Sequence, residues 1–199
     1  MKNKFLLMTI AFLIIEMSSV AQIAGTYNDS RDGKVYKTVT IGKQTWMAEN
    51  IAFKAESGCW AYNNDQNNVK TYGYLYNWET ARKGCPSGWH LSSKDDWSAL
   101  LTYLGGELIA GDKLKEAGTD HWQKPVSAAT NEKGFTCLPG GFRNDQSEFY
   151  NLGLMCFYWC STEENTEKAN HILIYSHTKD VTISYIEKNN GFSVRCVKD

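Results

Sequence analysis

The chain predicts an α+β domain, and three observations carry that expectation. Residues 34–51 alternate polar and apolar side chains around a Gly42-Lys43 turn, the pattern of a β-hairpin. Residues 74–104 change to helical spacing. The last third returns to short β-branched and aromatic runs separated by glycine-containing turns. Helices early and antiparallel strands late make the α+β pattern.

In chain order, Met1-Lys2-Asn3-Lys4 is a basic start, and the apolar run from Phe5 to Ile15 is too short to span a bilayer. With small residues at Ser19 and Ala21, residues 1–21 read as a secretory signal. Residues 22–31 are polar and without periodicity and are expected to be a flexible leader. Residues 32–199 then form one domain. Its first strands are Lys34 to Ile41 and Gln44 to Ile51. The polar run Asn63 to Asn68 is expected as a surface loop.

Tyr74, Leu75, Trp78, Ala81 and Arg82 predict a first helix from Tyr74 to Lys83, stopped by Gly84. Ser93 stands three residues before Asp96, as in a capping box with a shorter acid. Trp97, Leu100, Leu101 and Leu104 form the apolar stripe of a second helix that ends at Gly105. Asp95 and Asp96 lie in its first turn, where the helix dipole favours negative charge, so they read as helix starters rather than a catalytic pair. Residues 105–135 are expected to be looped, apart from a short helix from Asp112 to Ala117. Strands follow at Phe135 to Leu138, Phe157 to Ser161, Ala169 to Tyr175, Val181 to Tyr185 and Phe192 to Val197. Pro139-Gly140-Gly141 and Asn189-Asn190-Gly191 are the turns.

Composition excludes several classes. The net charge of −1 comes with no basic cluster, which argues against nucleic acid. Beyond Ile15 no hydrophobic segment could cross a membrane. Six cysteines in an exported chain favour disulfides over metal ligands, and their spacing alone cannot choose among the fifteen possible pairings. His90, His121, His171 and His177 show no ligand spacing, so no metal is expected. No nucleophile elbow and no glycine-rich phosphate loop is present, and no cofactor or catalytic residue is assigned.

Trp46, Trp78, Trp89, Trp97 and Trp159 sit at core-like spacing and are expected to be buried. Trp60, Tyr62, Trp122 and Tyr150 differ, because they lie in polar, turn-rich surroundings. Rings beside amides and carboxylates suit sugar or peptide surfaces, so Trp60, Tyr62, Asn64, Asp65, Trp122, Arg143 and Asp145 are the candidate ligand-binding residues.

Several ordered motifs carry a resemblance. They are Asp32-Gly33-Lys34-Val35-Tyr36, Trp46-Met47-Ala48-Glu49-Asn50, Tyr72-Gly73-Tyr74-Leu75-Tyr76-Asn77-Trp78, Cys85 to Trp97, Leu138-Pro139-Gly140-Gly141-Phe142-Arg143, Trp159-Cys160-Ser161-Thr162-Glu163 and Gly191 to Lys198. From about Asp32 to Asp199 the chain resembles the Fibrobacter succinogenes major paralogous domain, a family found in exported bacterial proteins. More distantly it is similar to the sulfatase-modifying (formylglycine-generating) enzymes and, through their fold, to C-type lectin-like domains. That likeness implies two helices beside a twisted, loop-rich antiparallel sheet. It also implies a Cys85–Cys196 disulfide, because it places the end of the first helix beside the last strand.

In the likened enzymes the reactive cysteines precede the final strand. Here residues 178–190 contain no cysteine, which argues against that oxidative chemistry. Relatives usually carry alanine at position 137 and serine at 160, so a bond from Cys137 to Cys160 or Cys156 would be a bridge particular to this chain. Cys59 lacks the family's second loop cysteine, where Gln66-Asn67-Asn68 stand instead. No proline is flanked as calcium-dependent lectins require.

The resulting expectation is an exported (secreted, periplasmic or cell-surface), non-catalytic binding or surface-interaction module with a carbohydrate or protein ligand. The alternatives are an enzyme related to the formylglycine-generating group and a structural part of a surface assembly.

Overall fold

The computed structural model describes residues 23–199, so the expected signal segment, residues 1–21, lies outside them. In chain order the elements are β1 (Ile23–Asn28), β2 (Val35–Ile41), β3 (Gln44–Met47), β4 (Cys59–Trp60), a 3-10 turn (Tyr62–Asn64), α1 (Gln66–Tyr72), β5 (Leu75–Tyr76) and α2 (Trp78–Ala81). There follow β6 (Trp89–Leu91), α3 (Lys94–Tyr103), α4 (Glu107–Leu114), β7 (Gly140–Arg143), β8 (Phe149–Leu152), β9 (Met155–Glu163), β10 (Lys168–Tyr175), β11 (Thr182–Glu187) and β12 (Cys196–Lys198). This is a mixed α+β chain with short helices. One five-stranded sheet runs β1-β2-β3-β12-β6, another runs β11-β10-β9-β7-β8, and β4 pairs with β5. Pairing is antiparallel except for the β7–β9 contact.

The hairpin at 34–51 forms as β2 and β3, in register from Thr38 opposite Met47 to Ile41 opposite Gln44. The segment expected as a leader is different: Ile23 to Asn28 is a strand, paired with β2 along its length. Its side chains from Ala24 to Thr26 are exposed. An edge strand held by its backbone ladder leaves no apolar period in the sequence to read. Just beyond it, buried Asp29 closes the turn by accepting from the Arg31 guanidinium at 2.6 Å.

The second helix forms as α3, with the capping box in place. Ser93 Oγ accepts from Asp96 N at 3.1 Å, and Asp96 Oδ2 accepts from Ser93 N at 2.8 Å. The first helix is shorter than its period suggested. Leu75 and Tyr76 are extended against β4, and the helix begins only at Trp78, where Asn77 Oδ1 caps Thr80 N at 3.0 Å. The polar run 63–68 is likewise not a plain loop, because Asp65 accepts from Asn67 N and starts α1. The helix placed at Asp112 to Ala117 lies earlier, at Glu107–Leu114. Residues 135–138 do not form a strand beyond a single Lys115–Cys137 bridge.

Two clusters of buried side chains make the core. Around α3, Trp97 stacks on Tyr158 with centroids 5.4 Å apart, and Trp46 packs 5.1 Å from Trp97. The second cluster gathers Tyr36, Tyr76, Trp78, Trp159 and Phe192, with Trp159 and Phe192 4.5 Å apart. The tryptophans expected in the core are there, and three of them satisfy their indole N–H internally. Trp78 donates to Cys160 O at 2.8 Å, Trp159 to Tyr76 O at 2.7 Å and Trp97 to Ser92 Oγ at 2.8 Å.

Arg195 is fully buried between the clusters and donates to five neutral acceptors: Met47 O, Phe135 O, Thr136 O, Asn50 Oδ1 and the Tyr158 hydroxyl. It ties irregular backbone at 135–136 to β3 and β9, because buried carbonyls without partners would be costly. Cys85, just after α2, is joined to Cys196 on β12 with Cα atoms 5.9 Å apart, the pairing that the resemblance implied. Among the described residues no helix is long and apolar enough to cross a membrane.

Candidate functional site

Trp60 comes from β4, Tyr62 from the turn after it, and Arg143 from the end of β7, more than eighty positions along the chain. The structure brings these three segments together, but Tyr62, expected on the surface, is 7% exposed and packs against Phe149. The Arg143 guanidinium carbon lies 4.0 Å from the Trp60 ring centroid, a cation–π contact. Backbone bonds between Arg143 and Gly191, at 3.0 and 2.7 Å, hold this junction from below. A side chain at Gly191 would place its Cβ 3.2 Å from the Trp60 ring, so glycine is what lets the indole lie against the backbone there. Gly141, with φ of 63°, similarly admits Tyr62: an added Cβ would sit 2.8 Å from its ring.

The β7–β8 hairpin supplies residues that the sequence reading did not place in the site. Phe149, opposite Arg143, packs 5.3 Å from Tyr62 on the Trp60 side, whereas Tyr150, opposite Phe142, packs 5.6 Å from that ring on the other face of the hairpin. Tyr150 is 43% exposed and donates to Glu148 Oε2 at 2.6 Å. Asn144 Nδ2 donates to the same oxygen at 3.0 Å, and Arg143 Nη2 bonds Ser147 Oγ. The bonds from Tyr150 and Asn144 hold Glu148 below the usual carboxylate range, and the same bond raises Tyr150. The alternation around Phe149-Tyr150, after the turn-rich Asn144-Asp145-Gln146-Ser147, was the signal that could have revealed this strand.

The remaining candidates divide. Asn64 and Asp65 are exposed on the turn following Tyr62, and Asp65 is engaged as the α1 cap. Asp145 is exposed at the tip of the β7–β8 hairpin. Trp122 is a correction, since it is 2% exposed and belongs to the core cluster around α3. Its polar neighbours in sequence are pinned elsewhere: His121 bonds Glu116 at 2.8 Å, and Gln123 N donates to Gly153 O at 2.8 Å, which turns the indole inward. Two grooves of about 620 Å3 lie away from this surface, one along Phe53 to Ser57 and Lys83, the other between Gly42 to Gln44 and Tyr103.

Four cysteines lie outside the disulfide. Cys59 is half-buried, its thiol donating to Ala55 O at 3.4 Å, and burial pushes its pKa up. Cys137, Cys156 and Cys160 are buried, and burial drives the Cys156 and Cys160 thiols well up. Among the described residues no three histidine, cysteine or carboxylate side chains converge as metal ligands would.

Two five-stranded, mostly antiparallel sheets, short helices, one long-range disulfide and an aromatic and charged contact built on turns define a small cross-linked α+β domain. The chain belongs to the Fibrobacter succinogenes major domain family, whose model matches residues 39–198. No curated protein and no solved structure matches it.

Proposed function

We propose that this chain is an exported, non-catalytic binding module whose ligand, a carbohydrate or a protein segment, docks on the surface formed by Trp60 and Arg143 with the exposed turn residues Asn64 and Asp145. The observation that carries this reading is the meeting of two distant turn segments, where the Arg143 guanidinium stacks on the Trp60 indole on the face of the β7–β8 hairpin that also carries Phe149. Planar cations, rings and carboxylates held in place by backbone bonds can take up hydroxyls and amides without ordering several free side chains first. Export follows from the reading of residues 1–21 as a secretory signal, and the disulfide suits an oxidising compartment.

For the architecture we infer a C-type lectin-like arrangement. The support is the stapling of the segment after α2 to β12, beside short helices and loop-borne candidate binding residues. Two points weigh against the enzyme alternative. A catalytic thiol needs access and a lowered pKa, whereas Cys156 and Cys160 are buried and raised.

The test is an array of glycans and peptides probed with wild type, Trp60→Ala and Arg143→Ala. Wild type is expected to bind, and each variant to lose tenfold or more in affinity, about 1.4 kcal/mol, with its thermal midpoint monitored alongside. A wild-type protein that binds nothing on the array sinks the proposal. Trp122→Ala is no probe of the site, because it would empty the core.

A further inference from the structure

The thiols of Cys137 and Cys156 lie 2.6 Å apart, sulfur to sulfur, with both side chains buried. Two separate thiols do not rest there: van der Waals contact is about 3.5–4.0 Å even between carbon atoms. A disulfide bond is about 2.05 Å, so a small adjustment closes the gap. Cys160 cannot take this partner. It stands four residues further along β9, about 13 Å away at strand spacing, and the charges nearest it are Asp96 and Lys94 of α3. Around Cys137 the neighbours are instead Cys156, Tyr158, Arg195 and Lys115.

We propose that Cys137 and Cys156 form a second disulfide of the oxidised protein, a bridge that closes residues 137–156 into a loop carrying the whole β7–β8 hairpin. The chemistry is thiol–disulfide exchange with an oxidant that bears a reactive disulfide. The Cys137 thiolate attacks one sulfur of that disulfide and expels a thiolate, giving a mixed disulfide. Cys156, losing its proton, then attacks the Cys137 sulfur and expels the second. Two protein thiols are oxidised, the oxidant is reduced to two thiols, and the two protons pass to the leaving thiolates.

In the finished fold the two thiols of the pair have unlike surroundings. Burial pushes the Cys137 thiol up, but its bonds with Cys156 and the Tyr158 hydroxyl and the Arg195 and Lys115 charges outweigh it, so Cys137 lies below the usual thiol range. Arg195 donates to the Tyr158 oxygen at 3.1 Å, which leaves the tyrosine proton free for the sulfur. Cys156, buried beside Cys137, is raised. Since both thiols are enclosed in the finished fold, the oxidant must reach them while the chain is folding.

The bridge would hold both ends of the segment that carries Arg143, Asp145, Glu148 and Tyr150, but it does not depend on the binding proposal. The experiment is to refold reduced full-length protein with glutathione disulfide, denature it in guanidinium with an alkylating reagent and no reductant, and weigh it whole. Two adducts, on Cys59 and Cys160, with a peptide pair joining Cys137 to Cys156, is the expected result. Four adducts, or a link from Cys137 to any other cysteine, overturns the proposal. As a second readout, Cys137→Ala/Cys156→Ala is expected to melt about 6–12 °C lower than the oxidised wild type. Should that variant fail to fold, the wild-type mass alone decides.

Discussion

His171 sits on β10 between the Phe157 and Phe192 rings, 5% exposed, and its Nδ1 has no hydrogen-bond partner. Burial lowers its pKa from 6.5 to about 4. Unfolding returns the imidazole to water, where it binds a proton more readily, so the unfolded chain takes up more protons between those two values. Stability therefore rises with pH over that window, and a shift of this size corresponds to about 3 kcal/mol in order of magnitude. His90 works the opposite way. Burial lowers it, but bonds to Asp199 at 2.7 Å and Asp96 at 3.2 Å outweigh that and raise it. Its contribution is complete below pH 6.5 and is lost as pH rises through the raised value, and with the side chain 42% exposed it is small. Urea unfolding across this range is expected to show a maximum near 6.5. His171→Leu should flatten the acid side and His90→Gln the alkaline side, and an acid slope unchanged in His171→Leu would rule out the first assignment.

At the level of elements, α3 is the helix whose ends are both written locally. The Ser93 and Asp96 side chains satisfy its first N–H groups, and Asp96 also accepts from Gln44 Nε2 at 3.0 Å, so one carboxylate joins the helix to β3. Ser93→Ala is expected to destabilise the protein by about 1 kcal/mol, read as a lower urea midpoint at unchanged slope. A loss below a few tenths would mean that the Asp96 contacts carry the cap alone. That local completeness made α3 legible in the sequence, as the alternation of β2 and β3 made the hairpin legible. Elsewhere tertiary contacts decide. Leu75 and Tyr76 carry helical spacing yet are extended, because Tyr76 N donates to Phe192 O at 2.8 Å and joins the strand ladder instead of a helix. β1 has the reverse problem, a regular strand with no apolar face to announce it. The glycines of β7 read as a turn, because Gly141 holds a conformation other residues avoid even as it pairs with Cys156 of β9.

For the whole molecule, what matters is which distant pieces meet, and a sequence states this least directly. Trp60 and Arg143 were each legible as rings and charges in polar surroundings, but only the Gly191 junction puts them in contact. Trp122, in the same kind of surroundings, is turned into the core by its neighbours' bonds. The link that organises these pieces is Cys85–Cys196, with 111 positions between its ends. It ties the segment after α2 to β12, while β12 also supplies the partner for β3 and β6 and follows directly on Arg195. Cutting it frees the unfolded chain from a closed loop of that size, which the chain-entropy model values at about 4–5 kcal/mol. Cys85→Ala/Cys196→Ala is therefore expected to lower the thermal midpoint by roughly 10–20 °C in a domain of this length. Because the bridge acts mainly on the unfolded state, the variant should keep the native pairing of β12 with β3 and β6 below its lowered midpoint, detectable as unchanged protection of the Cys196 to Lys198 amides in hydrogen exchange. Loss of that protection well below the midpoint would show instead that the covalent link is what holds the terminal strand in the sheet.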